Sequence, residues 1–137
     1  MGRKTDAYVD TSAFIAFTDR SDTHHALFRG LFSNPPQLMT TTLVVAEGHG
    51  WFLKRYDGTR ALHFLALIEE LTPMRLLAVG SEEQAGGIRM LRKFSDQALS
   101  LTDGVGLHVM QIHRLRECWS TDRHLGLTGV RLVTDKH

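Results

Sequence analysis

The sequence predicts an α/β fold in which helices cover both faces of a central parallel sheet of about five strands. Two observations carry this prediction. Short apolar segments alternate with helix-like segments along the chain, which is typical of parallel sheets joined by crossover helices. The chain also has 137 residues, of which 42% are hydrophobic, enough for one core. We therefore expect a single three-layer α/β/α domain over residues 1–137.

The predicted strands are short, and turn-forming sequence precedes the second and third of them. Ala7 to Val9 forms the first strand. The segment "SNPPQ" and Pro73 are breakers that come before the second and third strands. The later strand candidates are "LMTT", "MRLLAV", "ECWST" and "VRLVT". Because the intervening segments are mostly helix-like, we expect parallel pairing.

Apolar residues at helical spacing, with capping side chains before them, predict the helices. They are residues 12–18; a helix in "DRSDTHHALFRGLF" capped by Asp22 or Thr23; Leu43 to about Tyr56, capped by Thr41 or Thr42; Gly58 to Leu71; "SEEQAGGIRMLRKF", beginning with the capping pattern of Ser81; and "LTDGVGLHVMQIHRL", with Thr102 or Asp103 near its start. The segment "DRHLGL" is expected to be a short helix or a loop.

The helix from Gly58 to Leu71 is the most apolar of these, and Phe64 to Ile68 is an unbroken apolar run. A helix that is apolar around most of its circumference needs partners on more than one side. One interpretation is a deeply buried core helix. The other is a helix that also faces a second subunit, since symmetric homodimers are common.

Charge and cysteine content restrict the classes of partner and compartment. The net charge is +1, so a site for a polyanion would have to be a local patch. Cys118 is the single cysteine, which excludes an intrachain disulfide and fits a reducing compartment. The chain begins without a signal-like segment and has no apolar run of the roughly 20 residues that span a membrane. We expect a cytoplasmic protein with no membrane partner.

Four acidic residues fall at strand ends or helix starts. Asp10 and Asp122 directly follow the first and fourth strands. Glu47 lies in the first two turns of the helix after the second strand, and Asp103 in the first turn of a later helix. Segments beyond the carboxyl ends of parallel strands line one crevice. We therefore expect these acids on one edge of the sheet, Asp103 among them if its helix also starts there.

Acidic side chains clustered without matching His or Cys ligands indicate Mg²⁺ or Mn²⁺, which prefer oxygen ligands, rather than zinc. Such sites commonly align a water and stabilise a phosphoryl transition state, so phosphodiester hydrolysis is the chemistry that follows. Each acid also has a simpler interpretation. Asp10, Asp103 and Asp122 could cap helices or face their positive ends, and Glu47 could be a solvated helix residue.

With these residues in place, the chain resembles the PIN-domain ribonucleases, and among them the VapC-type toxins of type II toxin–antitoxin pairs. The resemblance spans nearly the whole chain. It is carried by "YVDTSAFIAF", "LMTTTLVVAEGHGWF", "LSLTDGVGLHVM" and "CWSTDRHLGLTGVRLV", in the family's order. It implies a PIN-like α/β/α domain whose acids bind one or two Mg²⁺ or Mn²⁺ ions and cut single-stranded RNA. It also implies a homodimer and a cognate antitoxin protein that covers the acidic pocket.

The resemblance implies roles for individual residues. Asp10, Glu47, Asp103 and Asp122 match the family's four catalytic and metal-binding acids. Hydroxyl residues that hydrogen-bond this cluster are Ser12 and Ser120, with Thr11 and Thr121 as weaker candidates for the same role.

A basic rim is needed where RNA approaches an acidic pocket. The candidates are Lys54, Arg55, Arg89, Arg92, Lys93, Arg116 and Arg123. For any one of them a solvated surface position is the simpler interpretation. Trp51 and Trp119 could stack bases, but their apolar neighbours favour core packing.

Two other functions are open. The chain could be a catalytically silent PIN-fold module that binds RNA or another protein, although silent relatives have no reason to keep four acids. It could also be an aspartyl-phosphate phosphatase, which begins with a strand and an Asp. Those enzymes need a second Asp two residues on, and Ser12 occupies that position.

Overall fold

The structure is a computed structural model and describes residues 5–135. Its five strands are β1 (Ala7–Val9), β2 (Leu38–Thr41), β3 (Met74–Leu77), β4 (Glu117–Trp119) and β5 (Arg131–Leu132). They form one sheet in the order β3-β2-β1-β4-β5, and every neighbouring pair is parallel. The carboxyl ends of all five strands therefore lie on the same edge.

Six α-helices and a short 3₁₀ helix connect the strands. They are α1 (Thr11–Thr18), α2 (His25–Ser33), α3 (Thr42–Arg55), α4 (Gly58–Glu70), α5 (Ser81–Lys93), α6 (Leu101–Ile112) and the 3₁₀ helix Arg123–Gly126. Helices α1 to α4 contact one another, and α5 packs on α6. Because the chain leaves β1 toward β3 and later crosses back to β4, right-handed connections place these two groups on opposite faces of the sheet. The predicted three-layer α/β/α class is confirmed.

The core lies between the sheet and these two helical layers. Tyr8, Phe14, Phe28 and Trp119 are among its fully buried side chains. The β1 segment is buried throughout, as expected for a central strand covered on both faces. None of the helices in residues 5–135 has the length and hydropathy that crossing a bilayer requires.

Several predicted caps are displaced by one or two residues. Thr41 caps α3, and its Oγ1 accepts from the Val44 amide, as one of the two alternatives expected. The cap of α2 is His24, because Asp22 accepts the His24 amide hydrogen bond in the loop before the helix. The cap of α5 is Gly80 rather than Ser81. The Gly80 amide donates to Glu83 Oε1 at 2.8 Å. The carboxylate of this first-turn residue thus accepts a hydrogen bond from an amide that has no partner within the helix.

Candidate active site

A cleft of about 290 Å³ opens at the carboxyl edge of the sheet. Asp10 follows β1 and Asp122 lies shortly after β4, the strand beside it. Residues of α1, α3 and α6 form the rest of the wall. The lining residues are Asp10, Thr11, Ser12, Ile15, Glu47, Trp51, Ser100, Asp103 and Asp122. The structure thus brings the four predicted acids to one cleft.

Asp10 is the buried acid of the cleft. It is 5% exposed, and the hydroxyls of Ser12 and Ser120 donate to its Oδ2 atom at 2.9 and 3.0 Å. Burial raises the pKa of the Asp10 carboxyl to about 6, and the nearby Asp103 carboxylate adds to that rise, although the serine hydrogen bonds oppose it. Asp10 stands at the N-cap position of α1 but makes no capping hydrogen bond with its side chain. Helix capping therefore does not account for this carboxylate.

Backbone amides orient the two serines that hold Asp10. The Thr121 amide donates to Ser12 Oγ, and the Asp122 amide donates to Ser120 Oγ, each at 2.9 Å. Each hydroxyl accepts from an amide and directs its own proton to Asp10. Both bonds end on Oδ2, so neither serine engages Oδ1. Thr121 enters this network through its backbone.

Asp103 lies at the start of α6, where it serves the helix as well as the cleft. Ser100 is the cap of α6 and accepts the Asp103 amide hydrogen bond at 3.1 Å. In return Asp103 Oδ2 accepts from the Ser100 amide at 3.0 Å. This is a reciprocal capping box, with Asp103 in the place usually taken by Glu or Gln. The helix begins at Leu101, so Thr102 and Asp103 lie near its start, as predicted, and Ser100 is the cap.

Asp122 caps the 3₁₀ helix that follows β4. Its Oδ1 accepts from the His124 amide at 3.0 Å and lies 2.9 Å from His124 Nδ1. Both side chains are about one-third exposed. His124 therefore holds the Asp122 carboxylate in position from outside the cleft.

Glu47 is the exposed acid of the cleft. It lies in the second turn of α3, and its neighbour Gly48 is buried against the ring of Phe64 on α4. A Cβ atom at position 48 would lie 2.4 Å from Phe64 Cζ. Close packing between α3 and α4 therefore accounts for a glycine at this position inside the helix. Residue 47 is about 100° around the helix from residue 48, so Glu47 lies beside this contact and lines the cleft together with Trp51, one turn later.

The acids as placed do not form a finished coordination sphere. Within residues 5–135, no three His, Cys, Asp or Glu side chains are grouped closely enough to hold a metal ion. Asp10, Asp103 and Asp122 each accept hydrogen bonds from nearby hydroxyls or amides. The donor set is nevertheless one of oxygen atoms only. The cleft also contains Thr11 Oγ1, a buried hydroxyl with no hydrogen-bond partner among the described residues. Oxygen donors and an unsatisfied hydroxyl fit a hard divalent cation and its waters.

Some basic rim candidates lie near the cleft. Lys54 and Arg55 are exposed in the last turn of α3, the helix that carries Glu47. Arg123 is exposed and directly follows Asp122.

The other candidates fall into two groups. Arg92 and Lys93 are in the last turn of α5, where positive charge suits the helix dipole, and they follow Leu91, which lies against Gly104 in the first turn of α6. Arg89 lines a separate cavity with His108 of α6. Arg116 immediately precedes β4, so it lies at the amino edge of the sheet, opposite the cleft. The structure does not bring Arg89 or Arg116 to the four acids.

Two residues of the cleft add to what the sequence indicates. Trp51 packs against the core, as expected, but it is only partly buried and also lines the cleft. Trp119 is in the core, as expected. Ser100 is absent from the predicted site residues, although the spacing Ser100-x-x-Asp103 is a capping-box signature that could have identified it.

Comparison with known proteins agrees with the fold. The sequence profile of the PIN domain family matches residues 7–128 of the chain. No curated protein matches the chain significantly in sequence.

Three solved structures are similar in fold. The sarcin–ricin-loop-cleaving toxin VapC20 of Mycobacterium tuberculosis has a TM-score of 0.82 and 21% identity, over 91% of this chain and 96% of that one. PAE2754 of Pyrobaculum aerophilum has a TM-score of 0.70 and 17% identity, over 97% and 93%. A toxin–antitoxin complex from Klebsiella pneumoniae has a TM-score of 0.64 and 17% identity, over 96% and 99%. At these identities the likeness is one of fold.

Proposed function

This chain belongs to the PIN domain family, and on that premise we propose that it is a divalent-metal-dependent endoribonuclease that cleaves single-stranded RNA. The observation that carries the proposal is the convergence of Asp10, Glu47, Asp103 and Asp122 on one cleft from four distant parts of the sequence. Folding a buried carboxylate next to other acids is costly unless a cation or a proton offsets the charge. PIN-domain nucleases generally use divalent metals.

In the proposed mechanism, Asp10, Asp103 and Asp122 would hold a Mg²⁺ or Mn²⁺ ion, directly or through water. Bound there, the cation would lower the pKa of a water and neutralise charge on the scissile phosphate. Glu47, exposed at the edge of the cleft, completes the ligand cage or orients the attacking water. Ser12 and Ser120 keep Asp10 fixed through Oδ2, which leaves Oδ1 to face the reacting groups. The products would carry 5′-phosphate and 3′-hydroxyl ends.

The similarity to VapC20, described as a toxin that cleaves the sarcin–ricin loop, supports RNA as the substrate. The similarity to a toxin–antitoxin complex supports the further proposal that a cognate antitoxin protein binds this chain and covers the cleft. We propose a homodimer that acts in the cytoplasm as the toxin of such a pair.

The helix α4 is the proposed contact for one of these partners. Its core face is Ala61, Phe64 and Ile68, while Leu62 is 64% exposed. Leu67 and Phe64 also line a groove of about 350 Å³ with Phe17 of α1. The helix therefore presents apolar surface on its outer side as well as on its core side, which a second protein chain would cover.

The experiment is a metal titration followed by an RNA cleavage assay with the purified chain. We expect cleavage of single-stranded RNA in Mg²⁺ or Mn²⁺ and none in EDTA. Asp10→Asn should lower the rate by at least about a thousandfold, because the buried ligand charge is lost, and it should leave the fold intact.

Asp96→Asn is the matched control, since Asp96 is exposed in the loop before α6 and does not line the cleft. Its rate should equal that of the parent. Equal rates for Asp10→Asn and the parent would show that the assigned site is wrong. Binding of RNA without metal-dependent cleavage would instead indicate a silent module.

A further inference from the structure

The carboxy-terminal part of α3, the turn after it and the first turn of α4 carry alternating aromatic and guanidinium groups. The Arg55 guanidinium lies 5.9 Å from the ring centre of Trp51 and 5.8 Å from that of Tyr56. The Arg60 guanidinium lies 4.8 Å from the same Tyr56 ring. We refer to Trp51, Arg55, Tyr56 and Arg60 as the α3 track.

The α3 track connects two depressions of the surface. Trp51 lines the cleft that holds the four acids. Tyr56 and Arg60, at the other end, line a depression of about 550 Å³ together with Arg20. Tyr56 is 40% exposed, and Arg55 and Arg60 are also exposed. A chain of nucleotides leaving the acidic cleft past Trp51 would meet these groups in order.

The guanidinium groups of Arg55 and Arg60 have N–H donors that a ligand can use. Within residues 5–135 the side-chain ion pairs are His24–Asp22, His124–Asp122 and Arg131–Glu117, so neither Arg55 nor Arg60 is paired with a carboxylate. The aromatic rings hold each guanidinium by cation–π attraction, which restricts its rotamers but occupies none of its N–H donors. A guanidinium held in this way can donate hydrogen bonds to a phosphate with little further loss of rotamer freedom.

We propose that the α3 track binds the single-stranded RNA substrate beside the catalytic cleft, with bases stacked on Trp51 and Tyr56 and phosphates bound by Arg55 and Arg60. Aromatic rings and guanidinium planes are the surfaces on which unpaired bases stack. Paired bases in a duplex do not expose their faces, so the track selects single strands. The proposal rests on the proposed function, because the acidic cleft is what places RNA at the start of the track.

The test measures RNA binding in the Asp10→Asn background, so that binding is separated from cleavage. The probe is a fluorescein-labelled, mixed-sequence RNA of about 12 nucleotides, followed by fluorescence anisotropy in Mg²⁺. Arg55→Gln and Tyr56→Leu should each weaken binding about tenfold, and Arg55→Gln should also reduce the slope of log affinity against log salt by about one. Arg89→Gln is the matched control, since Arg89 is exposed but lines a different cavity. It should change affinity less than about twofold.

Tryptophan fluorescence gives a readout that a merely structural role would not move. Trp119 is 1% exposed, so quenching by added RNA would come from the half-buried Trp51. In the same background, Trp51→Phe should keep the RNA affinity within about threefold of that of the Asp10→Asn protein, because phenylalanine retains an aromatic ring. Trp51→Leu should lower the affinity about tenfold.

The outcomes separate this proposal from the one on which it rests. If the parent cleaves RNA but Arg55→Gln and Arg89→Gln bind RNA equally well, the α3 track does not bind the substrate, and the proposed nuclease function is unaffected. The proposal for the α3 track would also be overturned if the variants lost as much affinity for a duplex RNA probe as for the single-stranded one, because stacking requires unpaired bases. If the chain neither binds nor cleaves RNA, both proposals fall.

Discussion

Asp10 shows at the scale of one residue how burial converts a common acid into a specialised group. The carboxylate is removed from water by its position between β1 and α1 and keeps two hydroxyl donors as compensation. Two hydrogen bonds do not replace the hydration of a charge, so the pKa of Asp10 is raised to about 6. The same residue type on a surface would be ionised well below that pH. The environment therefore makes Asp10 sensitive both to protons and to cations.

This shift predicts how the stability of the protein depends on pH in EDTA. Because the folded-state pKa of Asp10, about 6, exceeds its ordinary value of 3.8, the folded state binds the proton more tightly than the unfolded state. The contribution of Asp10 to stability is therefore fully present below about pH 4 and is lost as the pH rises through 6. The total change is on the order of 3 kcal/mol.

Chemical denaturation of the parent and of Asp10→Asn between pH 4 and pH 8 measures this effect. The asparagine cannot ionise, so its advantage in free energy of unfolding over the parent should grow from pH 4 to pH 8. A difference that stays constant across this range would contradict the assigned pKa. Mg²⁺ should reduce the advantage at pH 8, because a bound cation stabilises only the ionised parent.

At the scale of elements, close packing of α5 on α6 holds the helix that carries Asp103 in place. A Cβ atom at Gly104 would lie 2.6 Å from the carbonyl oxygen of Gly87. One at Gly87 would lie 2.9 Å from the Val105 amide nitrogen. Both contacts are with backbone, which cannot move aside as a side chain end can. Gly104 on α6 and Gly87 on α5 are therefore what allows the two helices to approach so closely.

Gly104→Ala should consequently destabilise the protein by about 1–3 kcal/mol, the usual cost of overpacking a tight contact. Since residue 104 adjoins Asp103, we also expect the variant to lose cleavage activity. Thermal unfolding and the RNA cleavage assay measure the two effects.

Gly50→Ala provides the control, because a Cβ atom at position 50, inside α3, would have no neighbouring atom within 4 Å. Alanine there should stabilise the protein by about 0.5–1 kcal/mol, since it favours the helix. A Gly104→Ala variant as stable as Gly50→Ala would mean that the helices are not in close contact.

At the scale of the whole molecule, the apolar sequence of α4 is divided between the core and the outside. The helix buries Ala61, Phe64 and Ile68 and leaves Leu62 exposed. Within the unbroken run from Phe64 to Ile68 only Phe64 and Ile68 are buried, so the helix has more apolar residues than the core requires. This excess of apolar surface supports the second of the two interpretations of the helix, in which it also contacts another chain.

Light scattering of the intact chain at micromolar concentration should give the mass of a dimer. If α4 forms the dimer contact, Leu62→Glu should shift the mass toward that of a monomer, because a buried unpaired charge opposes association. The matched control is Leu76→Glu, since Leu76 is half exposed on β3, away from α4. A monomer for the parent would contradict the proposed homodimer.

Much of the fold could be predicted because its signals are local. The strand and helix segments follow from apolar periodicity, and the parallel arrangement follows from their alternation. Helix starts were less predictable, as at His24 and Gly80, because several polar residues near each start compete for the same amides. The placement of rim residues was not predictable either. Arg116 precedes β4 and Arg123 follows it, so the two residues lie at opposite ends of the strand although they are close in sequence. Only Arg123 is therefore at the edge of the sheet that carries the acids.

The sequence by itself determined the alternation of strands and helices and the position of each acid relative to its own strand or helix. These are properties of neighbouring residues, and backbone geometry and hydrophobic spacing settle them. Only the tertiary structure decided that Asp10 is buried while Glu47 is exposed, and that Trp51 lines the cleft as well as packing on the core. Burial and proximity depend on segments that are distant in sequence, such as Ser120 beside Asp10. The pKa of Asp10 and the environment of the cleft therefore arise only when those segments pack together.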